Sequence, residues 1–162
     1  MIKQKKYILK IVSLQIAISV LVTGCGTIGE IGNEIDFPIP KKKLEIAIDS
    51  LYAQRPDYKI PDKWKAFDGW SKSGYDFLES RIFYFKSPPE EMYYVTFIGD
   101  SVILANPNKI GIGLRAVYKG DAHGKWLTSS DLDSKEKRRI EERFTDEIIN
   151  KLEQYTKAKA TK

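Results

Sequence analysis

The chain of 162 residues carries 27 lysines and arginines against 22 acids, a formal charge of +5, with one cysteine and one histidine. A lone cysteine excludes an intramolecular disulfide, and a lone histidine leaves a zinc site short of donors. The length suits one domain whose core folds without either staple, so no metal and no other cofactor is expected.

Lys3, Lys5, Lys6 and Lys10 lead into the apolar run 11–22, which is broken only by Ser13, Gln15 and Ser19. A basic stretch followed by a short apolar one has the pattern of a secretory signal, and it falls below the roughly 20 apolar residues that span a bilayer. It closes on Leu21-Val22-Thr23-Gly24-Cys25. This block resembles the lipobox of bacterial lipoproteins, an aliphatic residue three before a cysteine with small residues between. The resemblance covers residues 1–25 and implies that the signal, 1–24, is cut off and that the Cys25 thiol carries a diacylglyceryl group. The new amino terminus is often acylated too, with a fatty acid such as palmitate. It implies membrane anchoring outside the cytoplasm, and Gly26 in place of an aspartate favours the outer membrane of a two-membrane host.

Cleavage also changes the charge. Residues 1–24 hold four lysines and no acid, leaving 23 basic against 22 acidic side chains. The basic isoelectric point, about 9.1, therefore resides mostly in the signal, and no nucleic-acid partner is expected.

Residues 26–40, with Gly26, Gly29, Gly32, Pro38 and Pro40, read as a flexible tether after the lipidated Cys25. The domain then spans 41–156. Leu44, Ala47, Ile48, Leu51 and Tyr52 recur at helical spacing over 41–53 until Arg55-Pro56 stops the pattern. Lys41, Lys42 and Lys43 open that helix as a solvated face, with anionic headgroups as their alternative contact. Residues 57–74 mix prolines and glycines with Tyr58, Trp64, Phe67 and Trp70, and read as irregular chain anchored by aromatics.

Aromatic and β-branched runs predict strands at 75–86 and 92–98, split by Ser87-Pro88-Pro89-Glu90-Glu91 as a hairpin. A further strand is expected at 110–118 after the Asn106-Pro107-Asn108 turn, with an optional fourth at 101–105. Residues 121–128 read as a loop. Asp133 with Glu136 offers a capping box, and Ile140, Phe144, Ile148, Leu152 and Tyr155 form one apolar stripe on a long helix. The tail, 157–162, is basic and reads as frayed. The expected fold is α+β: an N-terminal helix, an antiparallel sheet of three or four strands, and a long C-terminal helix on one sheet face.

The motifs give chemistry little purchase. The strand 94–98 runs into Gly99-Asp100-Ser101, a string that resembles the nucleophile block of the Gly-Asp-Ser lipases and esterases. That family takes its base from a histidine three residues after an aspartate near the C-terminus, whereas His123 lies two after Asp121 and close to Ser101 in sequence. A turn at Gly99-Asp100 accounts for the string without catalysis. His123 reads as a loop residue. Asp131 with Asp133, and Glu90 with Glu91, read as caps or solvated acids. Gly111-Ile112-Gly113 lacks the third glycine of a phosphate loop.

Twelve of the 19 aromatic residues fall between Tyr58 and Phe97. Both faces of the first strand carry apolar groups, Phe77, Phe83 and Phe85 against Leu78, Ile82 and Tyr84. One face packs under the helices, and the other is either covered by 57–74 or exposed as a partner surface. The reading that results is a non-enzymatic envelope lipoprotein, lipidated at Cys25, that binds or positions a protein partner, with the aromatic sheet region and Trp64, Trp70 and Trp126 as candidate contacts. The alternatives are a binder of a small apolar or glycan ligand through Trp64, Trp70 and Trp126, and a serine hydrolase using Ser101.

Overall fold

The computed structural model describes residues 30–68, 79–120 and 124–162. In chain order these form β1 (Ile35–Phe37), α1 (Lys41–Gln54), the 3₁₀ turns Pro56–Tyr58 and Asp62–Phe67, β2 (Ser80–Phe85), β3 (Glu91–Ile98) and α2 (Ser101–Leu104). They continue with β4 (Ile110–Lys119), β5 (Trp126–Leu127), a 3₁₀ turn Ser129–Asp131, and a C-terminal helix built from α3 (Ser134–Phe144), a π turn Thr145–Ile149 and α4 (Asn150–Thr156). All pairings are antiparallel, in the order β1-β4-β3-β2, and β5 takes the end of the β4 edge that β1 leaves open. The α+β architecture expected from the sequence is the one observed.

Strand alternation sends Phe83 and Phe85 of β2, Tyr93, Val95 and Phe97 of β3, and Ile110, Ile112, Leu114 and Val117 of β4 to one face. There they share a core with α1 and the C-terminal helix through Leu44, Ile48, Leu51, Ile140, Phe144, Ile148 and Leu152. Leu114 and Val117 lie three apart and still face the same way. The register shift opposite Tyr94 and Val95 supplies the extra residue, Arg115, that restores alternation beyond it.

The C-terminal helix solves a periodic problem. Ile140, Phe144, Ile148, Leu152 and Thr156 recur every four residues, and each step of four drifts about 40° around a regular α-helix. The π turn widens the helix midway and takes up part of that drift, so Ile148 and Ile149 are both buried, as are Leu152 and Thr156 beyond it. Tyr155, expected to end the stripe, is only partly buried. The Asp133 carboxylate accepts from the Glu136 amide at 2.8 Å, which fixes the helix start where the cap pattern places it.

Three expectations need correction. Residues 101–105 form a helical turn, not a strand, because the Asp100 carboxylate accepts from the amides of Val102 and Ile103, both at 3.0 Å. Residues 30–40 are not tether: Ile31, Ile35, Phe37 and Ile39 are buried, and the Ile31 amide donates to the Leu114 carbonyl at 2.8 Å. The tail is not frayed. Lys157 turns left-handed with φ 56°, and Thr161 then exchanges backbone hydrogen bonds with Asp36 at 2.8 and 2.9 Å, adding a bridge beyond β1. Cys25, Gly26, Gly29, Trp70, Phe77, Leu78 and His123 lie outside the described residues.

Candidate functional site

The second sheet face carries Ile82 and Tyr84 of β2, Met92 of β3 and Tyr118 of β4, the next residues out of phase with the helix-covered core. It is covered by the protein itself. The 3₁₀ turn Asp62–Phe67 lays Trp64 and Phe67 on Tyr118, with ring centroids 5.2 and 5.0 Å away, and Trp126 of β5 closes the same cluster at 5.7 Å from Tyr118. Trp126 donates its indole N–H to the Phe67 carbonyl at 2.9 Å, so the cover is latched to β5. Edge-to-face rings at these separations attract beyond the area they bury. Of the described aromatics between Tyr58 and Phe97, Tyr58, Phe83, Phe85, Tyr93 and Phe97 enter the main core, and Tyr84, Trp64 and Phe67 the second, smaller one.

Glu90 and Glu91, adjacent in sequence, serve opposite faces. The Glu90 carboxylate accepts from Lys63 Nζ at 2.6 Å, Trp64 Nε1 at 3.0 Å and the Tyr84 hydroxyl at 2.5 Å. The Lys63 ammonium first, then the Tyr84 hydroxyl, hold its pKa down to about 2. In the reverse direction, burial and this carboxylate push the Tyr84 hydroxyl up to about 12. Glu91 points to the helix side, where its buried carboxylate meets Arg139, Arg143 at 3.1 Å and the Tyr93 hydroxyl at 3.1 Å. Arg143 also donates to the carbonyls of Ser87 and Pro89 at 2.9 and 2.6 Å, clamping the β2–β3 loop. The three donors to Glu90 all fall on its Oε1, whereas the Glu91 carboxylate is engaged at both oxygens.

The remaining acids have structural posts as well. Asp131 accepts from Thr128 and Lys125, and Asp133 caps α3. Asp100 spends its carboxylate on the α2 cap, which leaves Ser101 an exposed first-turn residue at the end of an antiparallel strand. That setting differs from the α/β sheet of the Gly-Asp-Ser hydrolases. Lys41 pairs with Glu45 and Glu79, and Lys42 with Glu45, so two of the three lysines opening α1 are engaged within the protein. Among the described residues no group of three or more His, Cys, Asp or Glu side chains is arranged to hold a metal ion, and no helix is long and apolar enough to cross a membrane.

Several depressions flank the C-terminal segment, among them an open one of about 530 Å³ along Asn150, Glu153 and Lys157. One, of about 180 Å³, lies under the tail between Ile35, Ile149 and Ala160, and another, of about 340 Å³, is a polar groove along Arg138, Glu141 and Asp146. The apolar one is smaller than the roughly 300–1,000 Å³ typical of organic-ligand pockets. Large apolar side chains that remain exposed among the described residues are Ile46, Val102 and Ile103, the latter two at 77% and 51% of their accessible surface. As a strand, 101–105 would bury alternate side chains, so the exposure of both Val102 and Ile103 follows from the helical turn.

No family model, no curated protein and no solved structure matches this chain.

Proposed function

We propose that the chain is a bacterial envelope lipoprotein, lipidated at Cys25 and facing away from the cytoplasm, that positions a protein partner at the membrane surface without catalysing a reaction. The observation that supports this reading best is how soon after Cys25 a buried residue occurs. Ile31 is already buried and hydrogen-bonded to β4, six residues after Cys25, so the acylated residue and the core are nearly contiguous. Gly26 favours the outer membrane in a two-membrane host.

The engaged states of Glu90, Glu91 and Asp100 favour a non-catalytic role, and the filled aromatic face and small apolar depression weigh against capture of a small apolar or glycan ligand. Intact-mass measurement of the membrane-extracted protein tests the anchor: cleavage before Cys25 with added acyl mass is expected, and Cys25→Ala is expected to leave uncleaved precursor. Crosslinking in cells followed by capture of the tagged protein tests the partner. Hydrolysis of short acyl esters by the purified protein, lost on Ser101→Ala, would overturn the non-enzymatic reading.

A further inference from the structure

The exposed apolar turn and the start of the fold meet at one place on the sheet. A Cβ built on Gly113 would lie 2.9 Å from Ile98 Cδ1 and 3.4 Å from Glu30 Cδ, so the first described residue and the last residue of β3 share that spot. Immediately beyond Ile98, Gly99 takes φ +128°, and Ile103 folds back over it, so Glu30 and the Ser101–Leu104 turn both lie beside the end of β3. Val102 stands on the outer side of the same turn with most of its surface in solvent.

Chain length then limits where this turn can be. Glu30 lies five chain steps beyond Cys25, and a fully extended chain of that length reaches roughly 17 Å. An acylated Cys25 has its acyl chains in the bilayer, so the Glu30 side of the domain is held at headgroup level. Among the described residues, the Ser101–Leu104 turn is the exposed apolar element beside that end of β3.

We propose that the Ser101–Leu104 turn is a membrane-docking element: Val102 and Ile103 insert at the headgroup–acyl boundary beside the lipid anchor and fix the orientation of the domain. The proposal rests on Cys25 being lipidated. It assigns a lipid surface as the occupant, because the short link places bilayer, and not bulk solvent, next to this turn. A single acyl chain binds membranes only marginally, and a second apolar contact on the protein is the kind of additional signal that stabilises such anchoring. Charge contributes little here. Lys41 and Lys42 are paired with Glu45, and Lys109 is 2.7 Å from Asp36, so docking is expected on neutral vesicles as well as anionic ones.

The test uses the full lipidated protein reconstituted in phosphatidylcholine vesicles. With Cys25 acylated, Val102→Cys supplies a single reactive thiol for an environment-sensitive fluorophore. Lys135→Cys, exposed in the first turn of α3 near the opposite end of the sheet, supplies the control. Quenching by bromine-bearing lipid chains is expected to be about threefold stronger at position 102 than at 135, and Ile103→Asp in the Val102→Cys background is expected to abolish the difference, as expected for a shallow interfacial insertion. Equal quenching at both positions, or none at either, with acylated Cys25 confirmed by mass, overturns docking while leaving the lipoprotein reading intact. Disulfide-linked dimers of the Val102→Cys variant in vesicles, without lipid quenching, would identify a second copy as the occupant and overturn the lipid assignment. An unacylated Cys25 overturns both readings.

Discussion

Arg143 and Glu91 tie the C-terminal helix to the first residue of β3: the guanidinium donates to a carboxylate with no exposed surface at 3.1 Å, and Arg139 holds the same carboxylate from the preceding turn. Burying a carboxylate is tolerable only with such donors in place, and removing one side of a buried pair costs about 3–5 kcal/mol because the other charge is left uncompensated. Glu91→Ala is therefore expected to lower unfolding free energy by that amount in urea titrations. A double-mutant cycle with Arg143→Met is expected to return a coupling of about 1–3 kcal/mol. A coupling near zero would mean that Arg143 acts through the Ser87 and Pro89 carbonyls alone.

Acid should loosen the aromatic cover before it unfolds the main core. Glu90, at about 2 in the folded protein because of Lys63, Tyr84 and Trp64, lies below the ordinary carboxylate value. Glu136 is also held at about 2, chiefly by Arg139. A depressed folded pKa adds stability that is fully present above the unfolded value near pH 4.5 and is lost as pH falls toward 2. The Glu90 carboxylate and Lys63 are both partly in water, so its share is about 1 kcal/mol at most after screening. Tryptophan emission is expected to red-shift between pH 4.5 and 2.5. Glu90→Gln is expected to remove part of that pH dependence, and an unchanged acid limb in the variant would assign the effect to the other two carboxylates held at about 2, Glu136 and Asp131.

The elements legible in the sequence are those whose signal is local. The β2, β3 and β4 runs combine aromatic and β-branched residues, and the C-terminal helix has Asp133 at its cap and an apolar residue every fourth position. Most of what the sequence concealed depends on distant partners. Ile35–Phe37 looks like linker among glycines and prolines, and becomes a strand only because Ile110 and Ile112 offer it an edge. Ser101–Leu104 has strand-like composition, yet the single Asp100 cap decides for helix. Glu90 and Glu91 look equivalent until the strand phase is known. The arginines that engage Glu91 lie 48 and 52 residues away, beyond any periodic signal.

The C-terminal tail is expected to behave as part of the fold. Ending the chain at Lys157 removes the paired backbone hydrogen bonds between Asp36 and Thr161 and the contacts of Lys159 and Ala160 with Glu153. A loss of about 1–2 kcal/mol is expected, since each hydrogen bond contributes about 0.5–1.5 kcal/mol net. The Asp36 amide is expected to exchange with solvent much faster in the shortened chain, while core amides of β3 keep their protection. Unchanged exchange at Asp36 would show that the tail does not hold β1.

Trp64 separates a covered face from a binding face. It packs on Tyr118 and Phe67, with centroids 5.2 and 5.6 Å apart, and donates to Glu90 at 3.0 Å. If it is cover, Trp64→Ala opens a cavity over Tyr84, Met92 and Tyr118. It then costs about 3 kcal/mol, at the lower end for tryptophan because the ring is only partly buried. The variant is also expected to bind a hydrophobic dye that the parent protein excludes, and to keep its partner, because the second face is internal packing. A variant within about 0.5 kcal/mol of the parent in stability, the range of ordinary surface substitutions, that loses its crosslinked partner would make Trp64 a contact residue. The aromatic cluster would then be the interface.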